Sequence, residues 1–140
     1  MILIIAQNPK TELNKVMPLF GTKSYETLAA WLEKAGHSID ECDIVNACSK
    51  MGKITKKDID LRHHGLGVMS LYDKIIVLGN IAAYYAEINL WNRSYFKLPH
   101  PSGLNRKLND KKYIHHLLSN LKDYLDAENS INPALFRTRI

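Results

Sequence analysis

Between Leu98 and Arg106 the chain reads LPHPSGLNR. That stretch combines a histidine, His100, with a rigid Pro101-Ser102-Gly103 turn, a leucine in polar surroundings, Leu104, and Asn105 with Arg106. These are the parts needed to grip a phosphate backbone, push a base out of its stack and stabilise charge on that base. A bland alternative exists, since Pro and Gly usually punctuate connections between elements. The stretch gains chemical meaning only if the fold brings suitable partners to it.

Short apolar runs alternate with longer segments of helical period. Residues 2–6 (ILIIA) read as a strand, and residues 24–35 (SYETLAAWLEKA) as a helix with Ser24 as N-cap and Gly36 just past its end. Residues 43–47 (DIVNA) predict a second strand, followed by a helix between Lys56 and Tyr72 that Gly65 and Gly67 weaken. The run 75–79 (IIVLG) is continuously apolar, as in a parallel sheet covered on both faces. A short helix from Ile81 to Glu87 and a strand over Tyr95 to Leu98 follow. Asp110 to Leu125 then carries Tyr113, Ile114, Leu117, Leu118, Leu121 and Leu125 at helical spacing. The alternation predicts an α/β fold, a three-layer α/β/α sandwich with a mainly parallel central sheet.

In such sheets the ligand crevice lies outside the carboxyl ends of the strands. That rule selects Gln7 and Asn8 before Pro9, Asn46, Gly79 with Asn80, and the loop that begins at Leu98.

At 140 residues the chain is expected to form one domain, with the tail from Asn129 unplaced. A net charge of +5 and a sequence pI near 9.2 suit a polyanionic partner without proving one. Cys42 and Cys48 fit neither a metal spacing nor a disulfide framework, which points to a reducing, cytoplasmic setting of bacterial or viral type. The apolar run after Met1 is too short for a membrane span and has no basic segment before it, so no membrane partner is expected.

The order of these motifs resembles the uracil-DNA glycosylase superfamily over roughly residues 2–125. AQNPK is similar to the family's water-activating motif, in which Asn or Asp precedes a proline, and LPHPSGLNR looks very like its base-flipping loop. MPLFG before a helix, the strand ending at Asn46, and IIVLG before a small-residue helix follow the family's order. The Pro-Ser-Gly-Leu core and following arginine resemble the mismatch-specific uracil or thymine branch, whereas the His-Pro-Ser start resembles other branches. Ala6 and Lys10 stand where the first motif often has glycines, and the four cysteines that hold an iron-sulfur cluster in some branches are absent, so no cofactor is expected.

The resemblance implies a monofunctional glycosylase that acts on DNA containing uracil or a related modified pyrimidine and leaves an abasic site. Breaking the glycosidic bond puts negative charge on the base, notably at O2, and cationic character on the sugar that water attacks. Asn8 would position the water and His100, as neutral imidazole, would donate to O2. Asn46 would read the base edge by donating to O4 and accepting from N3–H, an order that disfavours cytosine. Phe20 would be the platform under the base, with Leu19 as register competitor, and Gln7 and Pro9 would complete the pocket; Tyr25 could line it too, but reads first as a helix-surface or core residue. Leu104 would fill the vacated stack, Asn105 and Arg106 would touch the opposite strand or a phosphate, and Pro101, Ser102 and Gly103 would bring backbone close to phosphate.

Ordinary structural uses compete with each of these roles. Asn8-Pro9 can merely start a turn, His100 can lie on the surface, Asn46 can cap its strand's exit and Phe20 can belong to the core. The adjacent pairs His63-His64 and His115-His116 lack the helical spacing of a metal pair and read as solvated. Lys53, Lys56 and Lys57 could lie along DNA or on a solvated face, and Trp31 and Trp91 read as core. Two rival functions stay open: a non-catalytic DNA-binding protein of the same fold that recognises a flipped or modified base, and a nucleoside or nucleotide hydrolase. The expected state is a monomer, because no apolar heptad appears.

Overall fold

A computed structural model describes residues 2–59, 72–89, 94–101 and 109–127. Four strands form one parallel sheet: β1 (Ile2–Ala6), β2 (Cys42–Asn46), β3 (Lys74–Leu78) and β4 (Phe96–Leu98), in the order β2-β1-β3-β4. The helices are α1 (Glu12–Val16), α2 (Lys23–Lys34), α3 (Gly79–Asn89) and α4 (Lys111–Asp126).

β1 is apolar at every position because both of its faces are covered. Ile2, Ile4 and Ala6 pack with Ile76, Leu78, Phe96 and Leu98 against Leu28, Trp31 and Leu32 of α2 and Leu118, Leu121 and Leu125 of α4. On the other face Leu3, Ile5, Ile75 and Val77 meet Ala82, Ala83, Tyr85 and Ala86 of α3. The result is the expected three-layer sandwich. Fully burying one such Ile or Leu contributes about 1.5–3 kcal/mol, so β1 anchors the sheet from both faces. Tyr124 adds a polar tie, accepting from the Ile75 N–H at 3.1 Å and donating to the Ser94 carbonyl at 3.4 Å.

Several boundaries differ from expectation. Ser24 does not cap α2: it lies inside the first turn, and the Thr22 hydroxyl accepts from the Tyr25 N–H at 3.2 Å from an extended residue (φ −102°, ψ 162°). Either residue type can cap, and the extended backbone at Thr22 decides between them. The C-terminal signal holds, since Gly36 has φ +86° and His37 N–H returns to the Leu32 carbonyl at 2.9 Å. β2 and β3 each begin and end one residue earlier than the expected strands, β4 starts at Phe96, and Gly79 opens α3, which runs beyond Glu87. Asp110 caps α4, accepting from Lys112 and Tyr113 N–H groups, both at 3.1 Å.

α1 was not anticipated, because its apolar residues face solvent: Leu13 is 52% and Val16 82% exposed. Between Lys56 and Tyr72 the described part holds a short 3-10 turn, Lys56–Asp58, capped by Thr55. The remainder of that expected helix, with His63, His64, Gly65 and Gly67, lies outside the described residues, as do Trp91 and the tail from Asn129. Trp31 is core, as expected.

Candidate functional site

The strand order reverses direction between β1 and β3, so their carboxyl ends open the crevice that the sheet leaves for a ligand. Ala6 at the end of β1 pairs with Asn46 at the end of β2, and Leu78 of β3 pairs with Leu98 of β4. The exits carrying Asn8, Asn46, Gly79 and His100 therefore leave one edge of one sheet.

At the β1 exit, Gln7 and Asn8 are half-buried and Pro9 is buried. The Gln7 carbonyl accepts from Cys48 N–H at 3.1 Å, which prolongs the β1–β2 ladder past its last strand residues. Asn8 does not bond to its own turn. Its Nδ2 donates to the carbonyls of Lys50 and Gly52, each at 2.8 Å, across 42 and 44 residues of chain. A flipped amide would set Oδ1 against two carbonyl oxygens, so the orientation is fixed. Oδ1 is left as an acceptor with no partner among the described residues. An acceptor held in this way can orient a water molecule.

At the β4 exit, Pro99 and His100 are half-buried and Pro101 is buried. His100 packs against Gly79, where an added Cβ would lie 3.3 Å from the His100 Cβ. Gly79 also has φ +85°, so both its backbone conformation and its neighbour favour glycine. Burial, and secondarily the Lys10 ammonium, push the imidazole pKa below its ordinary value of 6.5. His100 is thus neutral at neutral pH. Lys10 brings the β1 exit into the electrostatic surroundings of the β4 exit.

Asn46 and Phe20 meet through a residue that sequence reasoning missed. Asn14, in α1, is 1% exposed, and its Nδ2 donates to the carbonyls of Met17 at 3.1 Å and Phe20 at 2.9 Å. Its own backbone carbonyl accepts from Asn46 Nδ2 at 3.1 Å. Asn46 therefore does not cap its exit turn. The Oδ1 atoms of Asn14 and Asn46 are both buried, with no hydrogen-bond partner among the described residues. Phe20 is 46% exposed, with its ring edge-on to Tyr25 at 5.7 Å, while Leu19 occupies the core position. The only sequence signal for Asn14 was its place three residues after Thr11, whose hydroxyl accepts from the Asn14 N–H at 3.2 Å.

Ser102, Gly103, Leu104, Asn105 and Arg106 lie outside the described residues. His115 and His116 are exposed on α4, and Lys53, Lys56 and Lys57 are exposed after β2, with Lys56 over the Tyr84 ring at 4.9 Å. Burial, followed by Glu41 and Asp43, pushes the Cys42 thiol up to about 12, so it stays protonated and unreactive. No group of three or more metal-ligating side chains occurs among the described residues. No helix among them is long and apolar enough to cross a membrane.

No curated protein matches the chain. The family described as the Uracil DNA glycosylase superfamily matches residues 1–122, from β1 into α4.

Proposed function

Because the chain belongs to the uracil DNA glycosylase superfamily, we propose that it is a monofunctional glycosylase that hydrolyses the N-glycosidic bond of uracil, or a related modified pyrimidine, flipped out of DNA. The observation that carries this reading is the pairing, at one edge of the sheet, of a locked acceptor with a neutral imidazole donor. In the reaction the C1′–N1 bond breaks and both electrons leave with the base. Water forms the new C1′–O bond and gives up a proton to solvent.

Each charge in that step has a candidate partner. Asn8 Oδ1 accepts from the attacking water and holds it near C1′, as an orienting group rather than a strong base. His100 donates an N–H to the oxygen on which the base collects charge. Its neutrality suits that task, because a preorganised dipole stabilises the anion without transferring a proton. Asn46 reads the base edge and Phe20 stacks beneath the ring, with Gln7 and Pro9 shaping the wall. Ser102, Gly103, Leu104, Asn105 and Arg106 follow His100 and Pro101 directly in the chain, which supports the wedge and phosphate roles expected of them.

The test is a single-turnover assay on labelled oligonucleotides bearing one uracil opposite G, opposite A or in a single strand, with thymine·guanine and hydroxymethyluracil controls. Alkali then reveals abasic sites. Cleavage of at least one substrate is expected, with His100→Ala slower by about 10²-fold, the scale for losing one donor to a developing oxyanion. Asn8→Ala should also fall sharply. Intact DNA throughout, with salt-sensitive duplex binding retained, would favour a non-catalytic reader of the same fold.

A further inference from the structure

We infer that Asn14 is a positioning residue that makes the pocket selective for bases carrying a ring N–H, and this rests on the glycosylase reading above. Asn14 is the joint between two parts of the site that are distant in sequence. Its side chain holds the turn bearing Phe20, through the carbonyls of Met17 and Phe20 at 3.1 and 2.9 Å. Its backbone carbonyl holds the amide of Asn46 at 3.1 Å.

The second contact has a chemical consequence. A carbonyl oxygen accepts only, so the Asn14 carbonyl obliges Asn46 to present Nδ2 to it and turns Oδ1 the other way. An asparagine free to flip could serve either order of donor and acceptor, and would tolerate cytosine as well as uracil. Asn46 is denied that freedom. Its Oδ1 is buried and lacks a partner among the described residues. An unpartnered Oδ1 acceptor next to an Nδ2 donor matches the N3–H and O4 of uracil or thymine and opposes cytosine, whose N3 acceptor and N4 amino donor come in the reverse order.

The side-chain contacts of Asn14 add distance control. They fix the turn of Phe20 to α1, whose carbonyl holds Asn46, so the stacking platform and the edge reader keep one spacing. Displacement of such a group by about an ångström can cost about 10²-fold in rate without touching the reacting atoms.

The experiment compares the wild-type chain, Asn14→Ala and Ser38→Ala. Ser38 caps the remote turn Ile39–Glu41, so its loss destabilises the fold without touching the site. Three quantities are measured below the melting range of each protein: single-turnover cleavage of uracil DNA, inhibition by free uracil against free cytosine, and affinity for undamaged duplex. Asn14→Ala keeps the backbone carbonyl but removes the two bonds that tie α1 to the turn of Phe20, so the carbonyl loses its fixed place against Asn46. Cleavage is expected to slow about 10²-fold and uracil inhibition to weaken about tenfold, narrowing the uracil-to-cytosine ratio while duplex affinity holds. Should Asn14→Ala not fold, Asn14→Ser keeps a short donor for one of the carbonyls and should show a smaller loss in the same direction. A folded Asn14 variant that matches Ser38→Ala in rate and base preference overturns the inference and leaves the glycosylase reading standing. A wild-type chain that cleaves nothing removes both.

Discussion

A histidine that must donate a hydrogen bond without carrying charge has to be kept neutral by its surroundings, and His100 has two causes acting in that direction. Burial is the larger, and the Lys10 ammonium adds to it. An NMR titration should therefore place the His100 midpoint below 6.5. Lys10→Met should raise it part of the way back and no further, because burial remains. As pH falls through about 6.5 the unfolded chain takes up a proton on this group before the folded one does, so the stability His100 contributes is present above that pH and declines toward the folded midpoint. A His100 midpoint that does not move in Lys10→Met would show that burial alone keeps the ring neutral. Lys10 also gives its departure from the family pattern a physical meaning: where a glycine is common, this chain carries a charge that acts on the proposed oxyanion donor.

The elements that deliver His100 depend on one backbone position. Gly79 follows β3 directly and opens α3 with φ +85°, and a Cβ there would sit 3.3 Å from the His100 Cβ. Gly79→Ala should cost about 1–2 kcal/mol from the left-handed backbone alone, with crowding of His100 in addition. Urea unfolding measures the first effect, and a fall in single-turnover rate with unchanged duplex affinity measures the second. At this scale much was legible in advance. β1 and β3 announced themselves as apolar runs because they are covered on both faces, and α2 and α4 by apolar residues at helical spacing. α1 was hidden because its apolar residues point outward, where periodicity carries no signal about a core. Within the site, Asn8 and His100 could be picked from strand ends, whereas the carbonyls of Lys50 and Gly52 that lock Asn8 are set by contacts over 42 and 44 residues. Asn14 was missed for the same reason, since its partners Met17, Phe20 and Asn46 converge only after β1, α1 and β2 assemble.

For the whole molecule, the decisive property is where the positive charge lies relative to the crevice. A net charge of +5 alone predicts nothing about orientation. The hydrogen bonds from Asn8 to Lys50 and Gly52 bring the segment after β2 against the β1 exit, and Lys50, Lys53, Lys56 and Lys57 on that segment are exposed. Lys50 is partly engaged with Asp58 at 3.5 Å and Lys56 with the Tyr84 ring, which makes Lys53 and Lys57 the better candidates to meet phosphate. Each phosphate that a lysine neutralises releases counterion, so the logarithm of affinity falls against the logarithm of salt by about 0.9 per contact on duplex and about 0.7 on a single strand. Lys53→Gln with Lys57→Gln should reduce the salt slope of wild-type binding by about 1.8 on duplex if both make contact. The loss should be uniform across sequences and leave the uracil-to-cytosine ratio intact, because phosphate contacts position the chain and do not read the base. An unchanged slope would mean that this segment is a solvated face and that the backbone is held elsewhere. A changed slope with an unchanged base ratio would separate the two tasks in space: phosphate grip on the segment after β2, and base selection at Asn14, Asn46 and Phe20.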